Sequence, residues 1–300
     1  MRYRSFFWPA ILIVFGVVAL GVNLGAISGG RLYRLADLWP LILIVIGMVS
    51  ISRRAWQGAR RDLAAALIVL LAVVGAAAYV AVREPVPTGS HTLNTSDTVG
   101  TLSQATLHVS AGAATLRVDS SDALGADLYR AHIEYSGPKP TVSLDRATGT
   151  LEISHSDDFA FFGDRRFALT LEVSSAVPWN INMDAGSAND TLNLSAVKVG
   201  SIKLSAGASH DVITLGTPVG IVPISVVGGD VYVLVHRPAG TEASVQVSAG
   251  AVNLSADGTQ YHGVGDEAWQ TSGYDHAANG YRVEVSGGAS AVTMDTSGTQ

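Results

Sequence analysis

Cysteine is absent from the 300 residues, which excludes disulfides, thiolate metal sites and a cysteine nucleophile and leaves the compartment undecided by redox chemistry. Charge is scarce, at 15% of residues, and unevenly divided. Residues 1–84 contain no Lys; nine Arg stand against three acids (Asp37, Asp62 and Glu84), a net of +6. Subtracting these from the totals of 19 basic and 25 acidic residues leaves ten against twenty-two, a net of −12, for residues 85–300. An acidic domain repels phosphates, and the Arg residues border apolar spans instead of lining a groove, so nucleic acid is excluded as a partner. Glycine-rich phosphate loops leading into a helix are also missing, and no cofactor is expected.

Long uncharged runs are present instead. Phe6–Ile27 and Leu63–Val82 are each long enough, at ~1.5 Å per residue, to cross a ~30 Å hydrocarbon core. Leu38–Ile51 is shorter, but it contains a repeat. Trp8-Pro9-Ala-Ile-Leu-Ile-Val-Phe-Gly16 and Trp39-Pro40-Leu-Ile-Leu-Ile-Val-Ile-Gly47 agree at seven of nine positions, thirty-one residues apart. Proline fits the first turn of a helix and Trp favours the boundary between lipid and water, so each copy reads as the start of a helix entering the bilayer. Trp8, Pro9, Trp39 and Pro40 are therefore candidates for interfacial anchoring or for contact with a partner helix.

Three helices are expected, at about residues 6–27, 35–52 and 63–82, within a transmembrane region of residues 1–84. Arg53, Arg54, Arg60 and Arg61 crowd the loop between the second and third, and Arg2 and Arg4 precede the first. Positive loops stay inside, which places the N-terminus in the cytoplasm, makes the protein multi-pass in the cell membrane, and sends the C-terminal domain outside it. A cleaved signal peptide is the other reading of the first span, though its apolar run exceeds the usual ~7–15 residues.

Residues 85–92 read as a Pro/Gly/Ser linker, and residues 93–300 as an all-β domain. Within it one unit recurs: apolar, x, apolar, x, small, Gly. The glycines are Gly112, Gly186, Gly207, Gly229, Gly250 and Gly288, each preceded by alternating pairs such as Ile181/Met183 and Ile202/Leu204. Such alternation marks a strand with one buried face, and glycine permits a bend. Apolar residues return after each Gly at even offsets, as in Leu116/Val118 and Ile213/Leu215, so the same face stays buried across the bend. Four of the glycines lie 21, 22 and 21 residues apart, which predicts two short strands per unit stacked as a repeat-built β-solenoid or β-roll-like layer; a β-sandwich is the alternative. Thr141–Leu144 and Leu151–Ser154 flank a turn at Arg146–Gly149 and read as a hairpin, and Phe167–Val173 as a strand. Pro178, Pro218, Pro223 and Pro238 are expected to limit pairing at exposed edges.

Candidates for chemistry are few. Ser209-His210-Asp211 has the residue types of a hydrolytic triad, but adjacent side chains on a strand point to opposite faces. Ser195-Ala-Val-Lys198 lacks the companion elements of a Ser-x-x-Lys enzyme. His155-Ser-Asp157-Asp158, followed by Phe159, Phe161 and Phe162, reads as a loop beside a hydrophobic plug in preference to a metal site. Asp190 and Asp211 each lie four residues after their unit's Gly and would form an acidic ladder on stacked coils, two carboxylates being short of the 6–8 oxygens calcium takes. No metal site and no catalytic residue are expected, and the chain does not read as an enzyme.

The Trp-Pro segments, with Gly16-Val-Val-Ala-Leu-Gly-Val-Asn-Leu-Gly25, resemble the transmembrane region of the LiaF-like bacterial proteins of the cell-wall-antibiotic response. Val177-Pro-Trp-Asn-Ile-Asn-Met-Asp-Ala-Gly186, Ile202-Lys-Leu-Ser-Ala-Gly207 and Tyr281-Arg-Val-Glu-Val-Ser-Gly-Gly288 are similar to their toast-rack β domain, whose degenerate motifs adhesin-like domains share. The resemblance implies a non-enzymatic role in sensing or modulating cell-envelope stress, with a membrane sensor kinase or another envelope protein as partner beside the lipid bilayer. It carries no catalytic residues over. The third span and an external β domain depart from the commonest arrangement of the family.

Overall fold

The computed structural model describes residues 90–155 and 166–296. The helices expected at 6–27, 35–52 and 63–82 lie outside the described residues, as do Trp8, Pro9, Trp39, Pro40, Arg53, Arg54, Arg60 and Arg61. Residues 85–89 of the expected linker, Asp157, Asp158 and the three phenylalanines after them also lie outside.

Alternating apolar residues with no helical period give strands throughout. In chain order these are β1 (Ser90–Thr98), β2 (Ala105–Ser121), β3 (Asp127–Ser136), β4 (Thr141–Asp145), β5 (Thr150–His155) and β6 (Phe167–Ser174). There follow β7 (Trp179–Leu194), β8 (Val199–Leu215), β9 (Ile221–Arg237), β10 (Glu242–Ala256), β11 (Thr259–Gln270) and β12 (Gly280–Thr296). β1 begins inside the segment read as a linker. The hairpin expected around Arg146–Gly149 is β4 paired antiparallel with β5, and the strand expected at Phe167–Val173 is β6.

Each Gly-bearing unit is one continuous strand of 15 to 17 residues, where two short strands were expected. Pairing runs on past the glycine: Ala185 partners Ala206 before it and Ser187 partners Ala208 after it. The strands nevertheless cannot be straight. At ~3.3 Å per residue β7 would extend ~50 Å, yet only residues 195–198 join Leu194 to Val199, which is paired beside Trp179. Five residue steps reach at most ~18 Å. β7 therefore doubles back on itself, and the apolar residues before and after the bend enclose a common core. The five residues between Leu215 and Ile221 impose the same on β8.

The twelve strands form one sheet in the order β1-β3-β6-β2-β7-β8-β9-β12-β10-β11, with β5 also against β2 and β4 against β5. β2, β7, β8, β9, β12 and β10 are mutually parallel and in register. Parallel coils stacked in register support a roll or solenoid. The stacking order differs from the simple sequence order that the glycine spacing suggested, because β12 inserts between β9 and β10.

Even-offset residues fill the core as the alternation required. Ile181, Met183, Leu192 and Leu194 of β7, and Ile202, Leu204, Ile213 and Leu215 of β8, are all buried. Trp179 is fully buried at the start of β7, and its Nε1–H donates to the Ser174 carbonyl at 2.9 Å, which satisfies the one polar atom of the indole. Tyr281 at the start of β12 is buried likewise, and its hydroxyl donates to the Gly216 carbonyl at 2.7 Å.

The prolines do not guard the edges. Pro178 and Pro218 lie between coils and Pro238 follows β9. Pro223 is the third residue of an interior strand, opposite Arg282 of β12 and one residue before the pairing of β9 with β8 starts at Ile224. The outermost strands are β1 and β11.

Candidate functional site

The six repeat glycines stand in one file along the bend. A β-carbon on Gly186 would lie 2.6 Å from the Gly112 carbonyl oxygen, one on Gly207 2.6 Å from that of Gly186, and one on Gly229 2.7 Å from that of Gly207. The file continues from Gly229 to Gly288 and from Gly288 to Gly250, each at 2.7 Å. None of the six has a positive φ. Glycine is needed here because the next coil's backbone occupies the space of a side chain, and left-handed geometry plays no part. Residues beside the file, Ser187, Ala208 and Ala251 among them, are small and exposed.

Four residues past the bend the core changes character. The stacked inward position reads Leu116, Asp190, Asp211, Val233, Val292 and Leu254 along the coils. Two carboxylates therefore sit in a file that is otherwise aliphatic. Asp190 is 3% exposed and Asp211 0%. The Ser209 hydroxyl donates to Oδ2 of Asp211 at 2.9 Å, while Oδ1 of each aspartate is buried without a hydrogen-bond partner. Burial first, and then the Asp211 charge, pushes Asp190 up to about 7. Burial likewise pushes Asp211 up to about 6, opposed by the Ser209 hydrogen bond and the neighbouring His210. Both shifts have one physical origin, since a carboxylate taken out of water disfavours its charged form and a like charge adds to the penalty.

The remaining candidates are dispersed. His210 lies on the outer face, stacked on the Tyr232 ring with centroids 4.4 Å apart, so Ser209 bonds to Asp211 and the trio forms no relay through imidazole. Ser195 donates to Asn193 at 2.8 Å, and Lys198 supplies the carbonyl that accepts from the Trp179 N–H. His155 is buried at the end of β5, stacked on Phe167 at 5.0 Å. Among the described residues no group of three or more His, Asp or Glu side chains is placed to hold a metal ion.

Two family models match the chain. Residues 6–51 match the LiaI-LiaF-like transmembrane region, and residues 85–229 match the N-terminal domain of toast_rack, DUF2154. The chain is LiaF-like, with a toast-rack domain. The toast-rack match runs from just before β1 to the bend glycine of β9, and the transmembrane match indicates association with a membrane. No curated protein matches. Among solved structures, this LiaF-like chain resembles a candidate cell adhesion protein from Clostridium sporogenes at 16% identity and a TM-score of 0.57, over 69% of this chain and 100% of that one. At that identity the likeness shows the fold alone. Candidate adhesins from Bacteroides fragilis and Parabacteroides merdae align at 8% and 9% identity, over 69% of this chain and 97% and 96% of theirs, with TM-scores of 0.25 and 0.22.

Sequence reasoning anticipated that the LiaF-like chain would align Asp190 with Asp211 but missed that the alignment is buried. Their offset from the bend carried that signal, since position 116 in the first coil and position 233 in the fourth are apolar.

Proposed function

We propose that the chain is a non-enzymatic accessory protein of the bacterial cell envelope: its N-terminal helices cross the cell membrane three times, and its β domain lies outside the cytoplasm. There it senses or modulates envelope stress through a membrane partner, for which a sensor kinase is the leading candidate and another envelope protein the alternative. The observation that carries this reading is the fusion, in one chain, of a LiaI-LiaF-like transmembrane region to a toast-rack domain. Trp8-Pro9 and Trp39-Pro40 are placed to anchor the helices or to meet partner helices, and Arg53, Arg54, Arg60 and Arg61 to hold their loop in the cytoplasm. The repeat glycines shape a scaffold and perform no chemistry.

Exchanging residues 1–82 for an unrelated membrane anchor tests the proposal in the native host. Loss of the envelope-stress response, with the β domain still on the cell surface, is expected. An unchanged response would count against it. A second reading, an adhesive surface domain on a plain anchor, is favoured only by the fold likeness to the Clostridium sporogenes protein. On that reading the anchor exchange leaves function intact and removal of residues 93–300 abolishes attachment of cells to a surface.

A further inference from the structure

Asp190 and Asp211 face each other across the junction of two stacked coils. They are paired residues on adjacent parallel strands, whose backbones lie ~4.8 Å apart, and both point inward. Their neighbours in the same file are Leu116 on one side and Val233 on the other. No Lys or Arg charge acts on either. One ionisable group on the surrounding strands is buried, Arg237 at the far end of β9, where it is bonded to Asp257 and to the Thr241 carbonyl; His108, Arg117 and Asp119 on β2, Asp184 on β7, Lys203 and His210 on β8, and Asp230, Tyr232 and His236 on β9 are all exposed or half-exposed. His210 alone among them acts on the pair, through Asp211.

Two ionised carboxylates in that position would repel one another inside an apolar layer, with an oxygen of each left without a donor. A single proton removes both difficulties. It halves the buried charge, and it gives one carboxyl an O–H to donate to the other. Ser209 donates to Oδ2 of Asp211, which leaves the two Oδ1 atoms as the groups in need of that proton.

We propose that Asp190 and Asp211 share one proton in the folded domain and act as a pH-sensitive catch between β7 and β8, closed while the proton is held and loosened once both carboxylates ionise. The direction follows from linkage. The folded pair binds a proton that the unfolded chain, with ordinary carboxylates, has already lost at the same pH. Stability is therefore highest in acid and falls as pH rises, from the ordinary carboxylate range of ~4 up to about 7, the folded value of Asp190. Above that range the loss is complete. A domain outside the cytoplasm meets whatever pH the surroundings impose, so the catch would couple external acidity to the firmness of the bend between these coils. This inference stands on the buried pair alone and survives if the signalling role proposed above fails.

The full-length protein in detergent serves for the test, as wild type, as Asp190→Asn, as Asp211→Asn, and as a double variant carrying Asp190→Leu and Asp211→Val, the residue types found in the same file. Infrared spectra in heavy water should show a protonated-carboxyl band in the wild type at about pH 5.5 that disappears by about pH 8.5, since solvent-exposed carboxylates are already ionised at the lower value. Amide exchange within residues 179–215, corrected for its intrinsic pH dependence, should quicken on the order of tenfold or more over the same range. The double variant should show neither change. The absence of the band from the wild type at about pH 5.5 would overturn the proposal by itself, whether or not the variants fold. So would an exchange profile in the double variant that follows the wild type.

Discussion

Gly207 offers the sharpest test of why the coils stack as they do. Substituting alanine places a β-carbon 2.6 Å from the Gly186 carbonyl oxygen, where ordinary contact needs about 3.4 Å or more. The obstacle is backbone, so no side chain can swing aside, and β7 and β8 must part locally by several tenths of an ångström. Overpacking of this kind costs ~1–3 kcal/mol, and stretching one ladder hydrogen bond beyond its useful range adds ~0.5–1.5 kcal/mol. Against this, alanine recovers ~0.5–1 kcal/mol of the chain entropy that glycine loses in a strand. The net is a destabilisation of about 2 kcal/mol, or a fall in melting temperature of ~4–8 °C for a domain of this size. Thermal unfolding of the detergent-solubilised protein, followed by far-ultraviolet circular dichroism, measures it. Ala208→Ser, one residue further on at an exposed position, is the control and should stay within ~1 °C of wild type. A Gly207→Ala protein that melts with the wild type would show that the close approach is not what selects glycine.

Trp179→Ala should destabilise the domain by ~3–5 kcal/mol through the cavity it leaves, read as a lower urea midpoint in the same preparation. Tyr281→Phe keeps the packing but strips the Gly216 carbonyl of its donor, so a smaller loss of ~1–2 kcal/mol is expected from the same titration. The absence of cysteine makes orientation testable in intact cells. Thr191→Cys on the exposed face of β7 should react with a membrane-impermeant maleimide and Gln57→Cys should not; the reverse pattern would invert the proposed topology.

The sequence carried the core of the fold openly because the repeat does two things at once. Alternation assigns Ile181, Met183, Ile202 and Leu204 to one face, and the even offset to Leu192 and Ile213 holds that face through the bend, so the inward residues could be named before any strand was seen. The glycines were read as strand ends because a residue without a side chain weakens a strand when taken alone; here the neighbouring coil supplies the packing that removes the penalty. β11 was not read because a strand at the edge of a stack buries little, and Thr259–Gln270 has few apolar residues. A local signal for it did exist: Asp257-Gly258 has φ of 44° and 82°, the left-handed pair that closes a two-residue hairpin. The place of β12 was beyond reach, since no local pattern says which of several similar faces a coil will cover. The buried state of Asp190 and Asp211 was hidden by residue type, because aspartate near a bend normally reads as solvated.

That intercalation bears on how the chain can be made. β12, later in the chain than both of its neighbours, is an internal brick of the wall, with β9 on one flank and β10 on the other. β10 and its hairpin partner can form early but have no lateral seat until residues 280–296 arrive. Assembly of this end of the stack must then wait until β12 has been made, and a chain without that one strand would lose the joint between two coils already synthesised.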